Sequence, residues 1–418
     1  MKQNSKRYAG LHRLIFFAFR RFYRKIEVDG TGHIPSAGPV IFTMNHCNAV
    51  IDPLLVAMFH KRQPGFLTRS DVFRNSLLNR IFRSFKMLPV YRQRDGVNTI
   101  EANAPVFSAV TAFLKEGGAI VIAPEGDKGI DHHLLPLKKG TARIAIQFMQ
   151  ACDWKTPLYI CPVGLSFSDY FTLHSDVIVR YAAPVRILDF REAYEKNPED
   201  IYRLITARIA ESLKALMWNV DAEDELPCFY NLKRLDGAKP LFSQRLDWAM
   251  EKLAEIRHFS AEKKKRLEQC FSLYLGQLER RGLRDRHVAA VARKGRKKAA
   301  LAVLLTSPLI LPDLLINGIP RFLPFAIVRS MRIHPHFHTS LLFGFQLLFF
   351  PIYYLLFFFA GYWASGILPL AMVLPVAGPF LSRVYHGWNE QRHRMLVPPS
   401  LLRKREHLFA ALSSSENL

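Results

Sequence analysis

Cysteine is sparse in this chain and does not cluster. Cys47, Cys152, Cys161, Cys228 and Cys270 are odd in number, widely spaced, and form no C-x-x-C pair. That pattern suggests neither a disulfide framework nor a zinc site, so reduced cytoplasmic thiols are expected. Acidic residues are also short: 35 Asp and Glu face 58 Lys and Arg, a formal net charge of +23 over 418 residues. No internal repeat is visible. No nucleic-acid-binding module accompanies the charge, so no nucleic-acid partner is expected. A cleavable signal pattern is missing too, because the apolar stretch from Leu11 to Phe22 is short and broken by Arg13, Arg20 and Arg21. The longest absence runs from Ile333 to Ser382, 50 residues with no Lys, Arg, Asp or Glu. A single bilayer crossing needs only about 20.

What is present points to a membrane surface. Half of the residues are hydrophobic, and 32 are Phe. Between Arg257 and Lys298, 14 basic residues stand against 4 acidic ones, immediately before the first long apolar run. Such a block attracts anionic lipid by about 1 kcal/mol per charge, which makes anionic membrane lipid an expected partner. At the other end, Leu11, Leu14, Ile15, Ala18 and Phe22 share one helical face. The spacing predicts an interfacial helix within residues 1–29. The uncharged run divides at Ser365-Gly366 into 341–364 and 367–382, a transmembrane hairpin within 333–382. Arg329 and Arg332 precede it, and Arg383, Arg392 and Arg394 follow it. The positive-inside bias puts both flanks, and the catalytic part, on the cytoplasmic side of a membrane. The earlier stretch 299–332 contains Pro308, Pro312 and Asp313 and reads as re-entrant or interfacial. A basic tail occupies 383–418.

Before the charged region the pattern is different. From Val40 to Tyr181 apolar strands alternate with helices: strands at 40–44, 65–68, 87–90, 119–123, 157–165 and 177–181, helices at 53–60, 77–85, 99–115 and 141–149. This predicts an α/β domain over 30–190, with a mixed, largely parallel sheet flanked by helices. A basic helical region follows over 191–298, then the membrane-embedded helical part. In such sheets, sites gather beyond the carboxyl ends of strands.

The strand Val40-Ile41-Phe42-Thr43-Met44 runs straight into Asn45-His46, and Asp52-Pro53 follows across a short loop. A carboxylate within reach of an imidazole holds it in the tautomer that accepts a proton from a hydroxyl. Asp before Pro is also an ordinary helix start, with Asp as N-cap. A second loop with the same placement, Ala123-Pro124-Glu125-Gly126-Asp127-Lys128, follows the apolar strand at 119–123.

These blocks resemble the glycerol-3-phosphate and 1-acylglycerol-3-phosphate acyltransferase superfamily, over roughly Gly30 to Val185. Five residues separate His46 from Asp52, where the family usually has four; the longer spacing resembles the branch with fungal-type glycerol-3-phosphate acyltransferases. Met87-Leu88-Pro89-Val90-Tyr91-Arg92-Gln93-Arg94 looks like the block whose arginine grips the acceptor phosphate, with Arg92 the better match and Arg94 the reserve. Arg69, in Phe66-Leu67-Thr68-Arg69, stands where the family often has lysine. The Pro-Glu-Gly core of the third block is intact, but Asp127 and Lys128 replace a hydroxyl and a guanidinium. A lysine neutralises phosphate only as a point charge. Ile160-Cys161-Pro162-Val163-Gly164 resembles the block that lines the acyl channel.

The resemblance implies an O-acyltransferase with His46 and Asp52 as catalytic residues. Arg92, Arg94, Glu125, Gly126, Lys128 and Arg69 would bind substrate. An acyl donor thioester, acyl-CoA or acyl carrier protein, would be co-substrate to a glycerophosphate-type acceptor; neither metal nor cofactor is expected. The acceptor could be glycerol 3-phosphate, dihydroxyacetone phosphate or a lysophospholipid. Three competing readings remain at this point: a thiol nucleophile at Cys47, a metal-dependent hydrolase using His46, Asp52, His132 and His133, and a non-catalytic membrane scaffold.

Overall fold

The computed structural model describes residues 6–73, 79–80, 86–91, 99–126, 129–170, 172–331, 333, 337–365 and 368–413. The chain divides into two compact units, Met1–Asp221 with Pro335–Ser340, and Ala222–His334 with Leu341–Leu418.

The first unit is built on one eight-stranded sheet. Its strands are β1 (Lys25–Asp29), β2 (Val40–Met44), β3 (Gly65–Arg69), β4 (Met87–Val90), β5 (Ala119–Ile122), β6 (Tyr159–Phe167), β7 (Asp176–Tyr181) and β8 (Val185–Arg186). Their order is β1-β7-β6-β2-β5-β3-β4, with β8 beside β6. Every pairing is parallel except β6 with β7 and β6 with β8. The expected mixed, largely parallel sheet is therefore present. Two strands were not foreseen. β8 is only two residues long, and β1 reads Lys-Ile-Glu-Val-Asp, charged at alternate positions because it lies at the sheet edge.

Burial follows the pleat. All five residues of β2 are buried, and consecutive side chains leave the sheet on opposite faces. Ile41 joins a cluster with Val110 and Leu114 of the helix Thr99–Lys115, Ile144 and Phe148 of the helix Gly140–Ala151, and Ile205, Ile209 and Leu213 of the helix Ile201–Leu216. Phe42, on the other face, stacks on His60 with ring centroids 4.6 Å apart. The helix Ile201–Leu216 thus belongs to the sheet's own core, although its sequence placed it with the basic region beginning at 191. Its Ile-Leu stripe at four-residue intervals is what covers β6. The N-terminal helix, Lys6–Phe22, buries Ile15, Phe19 and Phe22 and leaves Leu14 and Phe17 exposed. Its Phe16 meets Phe59 edge-on at 5.9 Å. Part of the face expected to lie on lipid is therefore packed on protein.

The second unit is helical. Leu226–Lys233, Phe242–Arg257, Ala261–Arg280 and Asp285–Lys294 come first; Arg296–Thr306 and Ile310–Ser330 follow. The helix His338–Ser365 has its first three residues in the other unit. Leu368–Met395 runs past the expected end of the hairpin, and Pro399–Leu412 closes the described chain. Ile310–Ser330 is inverted relative to a helix of a water-soluble protein. Asp313, Asn317, Pro320, Arg321 and Pro324 are buried, while Leu311, Leu314, Leu315, Ile319, Phe322, Leu323 and Phe325 are exposed. Arg321 forks onto Asp313, with Nη2 2.9 Å from Oδ1. Asn317 donates to Asp313 and to the Gly378 carbonyl, and accepts from the Tyr354 hydroxyl.

Candidate active site

Topology places the two signature loops side by side. β2 lies between β5 and β6, and all three run in the same direction, with Thr43 in register with both Ile122 and Pro162. The loop leaving β2 carries His46, and the loop leaving β5 carries Glu125. Both therefore emerge at the same carboxyl edge of the sheet.

Asn45 fixes the first loop. Its side-chain amide donates to the Leu165 carbonyl at 2.9 Å and accepts the Leu165 N–H at 2.8 Å, continuing the ladder with β6 by side chain. His46 follows. Its Nδ1 lies 3.1 Å from Asp52 Oδ2. A ring nitrogen facing a carboxylate carries the proton, so Nε2 is left as the basic nitrogen. Asp52 is fully buried, and the His46 side chain is 25% exposed. Asp52 does not cap its helix: the helix begins at Ile51, with Val50 at the N-cap. Asp52 Oδ2 instead receives the backbone N–H groups of Cys47 at 2.9 Å and Asn48 at 2.6 Å. Burial raises the Asp52 pKa, against the opposing pull of His46 and those two N–H groups.

Glu125 ties the two loops together. Oε1 accepts the His46 N–H at 2.9 Å, and Oε2 accepts the Leu135 N–H at 3.2 Å. Burial pushes its pKa up. Gly129 closes the same knot: its N–H reaches the His46 carbonyl at 2.7 Å. A Cβ there would stand 2.9 Å from Glu125 Oε2 and 3.1 Å from that carbonyl. Gly126 turns the loop with φ +71°, a conformation that favours glycine. Arg69 is exposed at the carboxyl end of β3, on the edge of the sheet that bears His46. Arg92, Arg94 and Lys128 lie outside the described residues.

The arrangement bears on the competing chemistries. Cys47 is buried, and its thiol is held far above its usual pKa by burial first, then by Asp131, Asp52 and Glu125. A thiolate nucleophile is disfavoured there. His132 and His133 each turn Nδ1 to a backbone carbonyl, Met217 at 2.7 Å and Val220 at 2.7 Å, which ties both rings to the segment after the helix Ile201–Leu216. Among the described residues, no three His, Cys, Asp or Glu side chains gather as a metal site. What the site does offer is one oriented imidazole above a buried carboxylate, suited to taking a proton from a hydroxyl.

Four further residues matter to this geometry. Asn45 and Asn48 flank His46 and were visible as polar residues in a loop, without a role. Gly129 had no signal beyond its position after the Pro-Glu-Gly turn. Ser340, whose hydroxyl donates to Asn48 Oδ1 at 3.0 Å, lies 292 residues away and had none.

A family model described as Acyltransferase matches residues 25–166. Glycerol-3-phosphate O-acyltransferase 2 of Saccharomyces cerevisiae is 27% identical over 165 residues, which is 38% of this chain and 22% of that protein. An uncharacterized acyltransferase of Schizosaccharomyces pombe is 20% identical over 366 residues, 65% of this chain and 53% of its own length. The chain thus spans from about a fifth to about half of the curated relatives it matches. Among solved structures, the 1-acyl-sn-glycerophosphate (LPA) acyltransferase PlsC from Thermotoga maritima is 18% identical. That match covers 50% of this chain and 83% of the other, with a TM-score of 0.35.

Proposed function

We propose that residues 25–166, which match the Acyltransferase family model, are the catalytic domain of a membrane-bound O-acyltransferase of the glycerolipid acyltransferase superfamily acting on glycerol 3-phosphate. It moves a fatty acyl group from acyl-CoA or acyl carrier protein to an acceptor hydroxyl; dihydroxyacetone phosphate is the nearest alternative acceptor. The observation that carries the reading is the His46–Asp52 pair, 3.1 Å apart with Nε2 left as the base.

The steps follow from that pair. Nε2 takes the proton of the acceptor hydroxyl as the oxygen attacks the thioester carbonyl. Asp52 holds the ring and stabilises the imidazolium that forms. The tetrahedral intermediate collapses, the C–S bond breaks, and the departing sulfur receives the proton from Nε2. The products are an ester and a free thiol, and no covalent enzyme intermediate, metal or cofactor enters. Arg92, with Arg94 in reserve, Lys128 and Arg69 hold the acceptor phosphate. Glu125 and Gly126 shape the loop that receives the acceptor.

Membrane binding is supported by two helical stretches long and apolar enough to cross a bilayer, Arg296–Ser330 and His338–Leu356. The inverted burial of Ile310–Ser330 supports it independently, because a helix with its charges inside and leucines outside suits lipid better than water. The basic residues on both flanks of the 333–382 run support a cytoplasmic side for the catalytic domain, where anionic lipid would meet the basic stretch 257–298.

The test is an acceptor panel with purified full-length protein in vesicles, supplied with acyl-CoA or acyl carrier protein. Glycerol 3-phosphate is expected to be acylated, and His46→Ala to lower that rate at least about a hundredfold, the usual worth of a general base. Acylation of lysophosphatidate alone would reassign the acceptor to a lysophospholipid. Undiminished transfer by His46→Ala would remove the mechanism. Vesicle binding with no transfer to any acceptor would leave a scaffold.

A further inference from the structure

We propose that Ser340 is a positioning residue for the His46–Asp52 pair; only the kinetic arm of its test rests on the acyl-transfer reading. Ser340 lies far outside the matched stretch 25–166. The described residues 337–340 nevertheless group with the first unit. The Ser340 hydroxyl donates to Asn48 Oδ1 at 3.0 Å and accepts the Val50 N–H at 3.1 Å. One side chain from a distant segment thus grips the loop between His46 and Asp52 at two points.

The grip reaches the reacting groups in one step. Asn48 donates its N–H to Asp52 Oδ2 at 2.6 Å, the oxygen that also receives His46 Nδ1. Asp52 Oδ1 is buried, with no hydrogen-bond partner among the described residues. The carboxylate is therefore oriented through Oδ2 alone, and anything that steadies Asn48 steadies the acid beneath the imidazole. Neighbouring Thr339 supplies the anchor. It is buried, and its hydroxyl donates to the Tyr170 carbonyl just beyond β6. Thr339 holds the segment and Ser340 holds the loop. Removing the Ser340 hydroxyl strands a buried amide oxygen of Asn48 and releases the exposed Val50 N–H to water, which favours another loop conformation. The dyad is then complete only when residues 339–340 are seated, so the domain that matches the family lacks one of its own braces.

The test uses full-length protein in lipid nanodiscs, with histidine labelled by nitrogen-15. The imidazole N–H resonance of His46 is assigned by its loss in His46→Gln. It is expected to persist in Ser340→Thr, and to exchange with water at least ten times faster in Ser340→Ala. In the acyl-transfer assay, Ser340→Ala is expected to lower kcat roughly tenfold with KM within twofold of the parent, and Ser340→Thr to restore it. A Ser340→Ala protein with parental exchange and parental kcat overturns the proposal. Exchange in Ser340→Thr as fast as in Ser340→Ala would overturn it too, by reducing Ser340 to general packing. If Ser340→Ala fails to fold, Ser340→Cys decides, since a thiol of similar size is a weak donor; parental exchange there overturns the proposal. If the parent acylates no acceptor, the function proposed above fails, and the resonance still settles Ser340.

Discussion

His60 shows at the scale of one side chain how the fold sets a charge. Its ring is stacked on Phe42 inside the first unit, and its pKa is lowered to about 4 by burial first, then by Arg62 and His12. The unfolded chain takes up that proton near the ordinary value of about 6.5. The folded state resists it, so stability present above about pH 6.5 is lost as pH falls toward 4. The loss is expected to reach at most about 3 kcal/mol. Urea titrations across that range should show it, and His60→Phe should flatten the acid limb. Residue-scale legibility was uneven for a physical reason. His46, Asp52 and Glu125 could be found because chemistry-bearing residues stood directly after apolar strands. Asp52 also looked like a helix cap, and only coordinates show its carboxylate turned back to Cys47 and Asn48. Glu125 takes the His46 and Leu135 N–H groups, a backbone role that no side-chain pattern announces.

Elements were easier to read than residues. β2 to β7 were all visible as short apolar runs, and the helices at 99–115 and 141–149 as the stretches between them. β1 escaped because an edge strand alternates charge with apolarity, and β8 because two residues make no pattern. The stretch 77–85 falls mostly outside the described residues. The helix Ile201–Leu216 was found as an element but assigned to the wrong neighbourhood. Its charged outer face matches the basic region in composition, while Ile201, Ile205, Ile209 and Leu213 are buried with the sheet. That reassignment makes a prediction at its own scale. Ile209→Ala removes buried methyl groups from the core cluster containing Ile41 and Ile160. It should cost about 2–5 kcal/mol and speed amide exchange in β2 and β6. Exchange that changes only in helices beyond Asp221 would contradict it.

The whole molecule combines a strong positive charge with a large apolar outer surface. Leu304 and Leu315 are 71% and 66% exposed, which water does not favour and hydrocarbon does. Leu304→Asp with Leu315→Asp should leave the first unit folded and lower the fraction that floats with vesicles several-fold, by about 2.5 kcal/mol or more per buried charge on insertion scales. Flotation equal to the parent would show that this face does not meet lipid. The apolar length of the C-terminal third was legible from composition alone. Its inside-out arrangement was not, because Asp313, beside Pro308 and Pro312, read as the mark of a re-entrant or interfacial element, whereas the structure buries it against Arg321.

That grip has a bearing on how the protein is made. Asp313 leaves the ribosome eight residues before Arg321, so a growing chain halted between them carries an acid with no counter-ion. Once Arg321 emerges, the two can partition as one neutral dipole, and their shared spacing of two helical turns makes the segment self-sufficient. On the membrane placement proposed above, changing either one alone would strand the other in hydrocarbon, whereas replacing both with leucine would let the segment insert without the match.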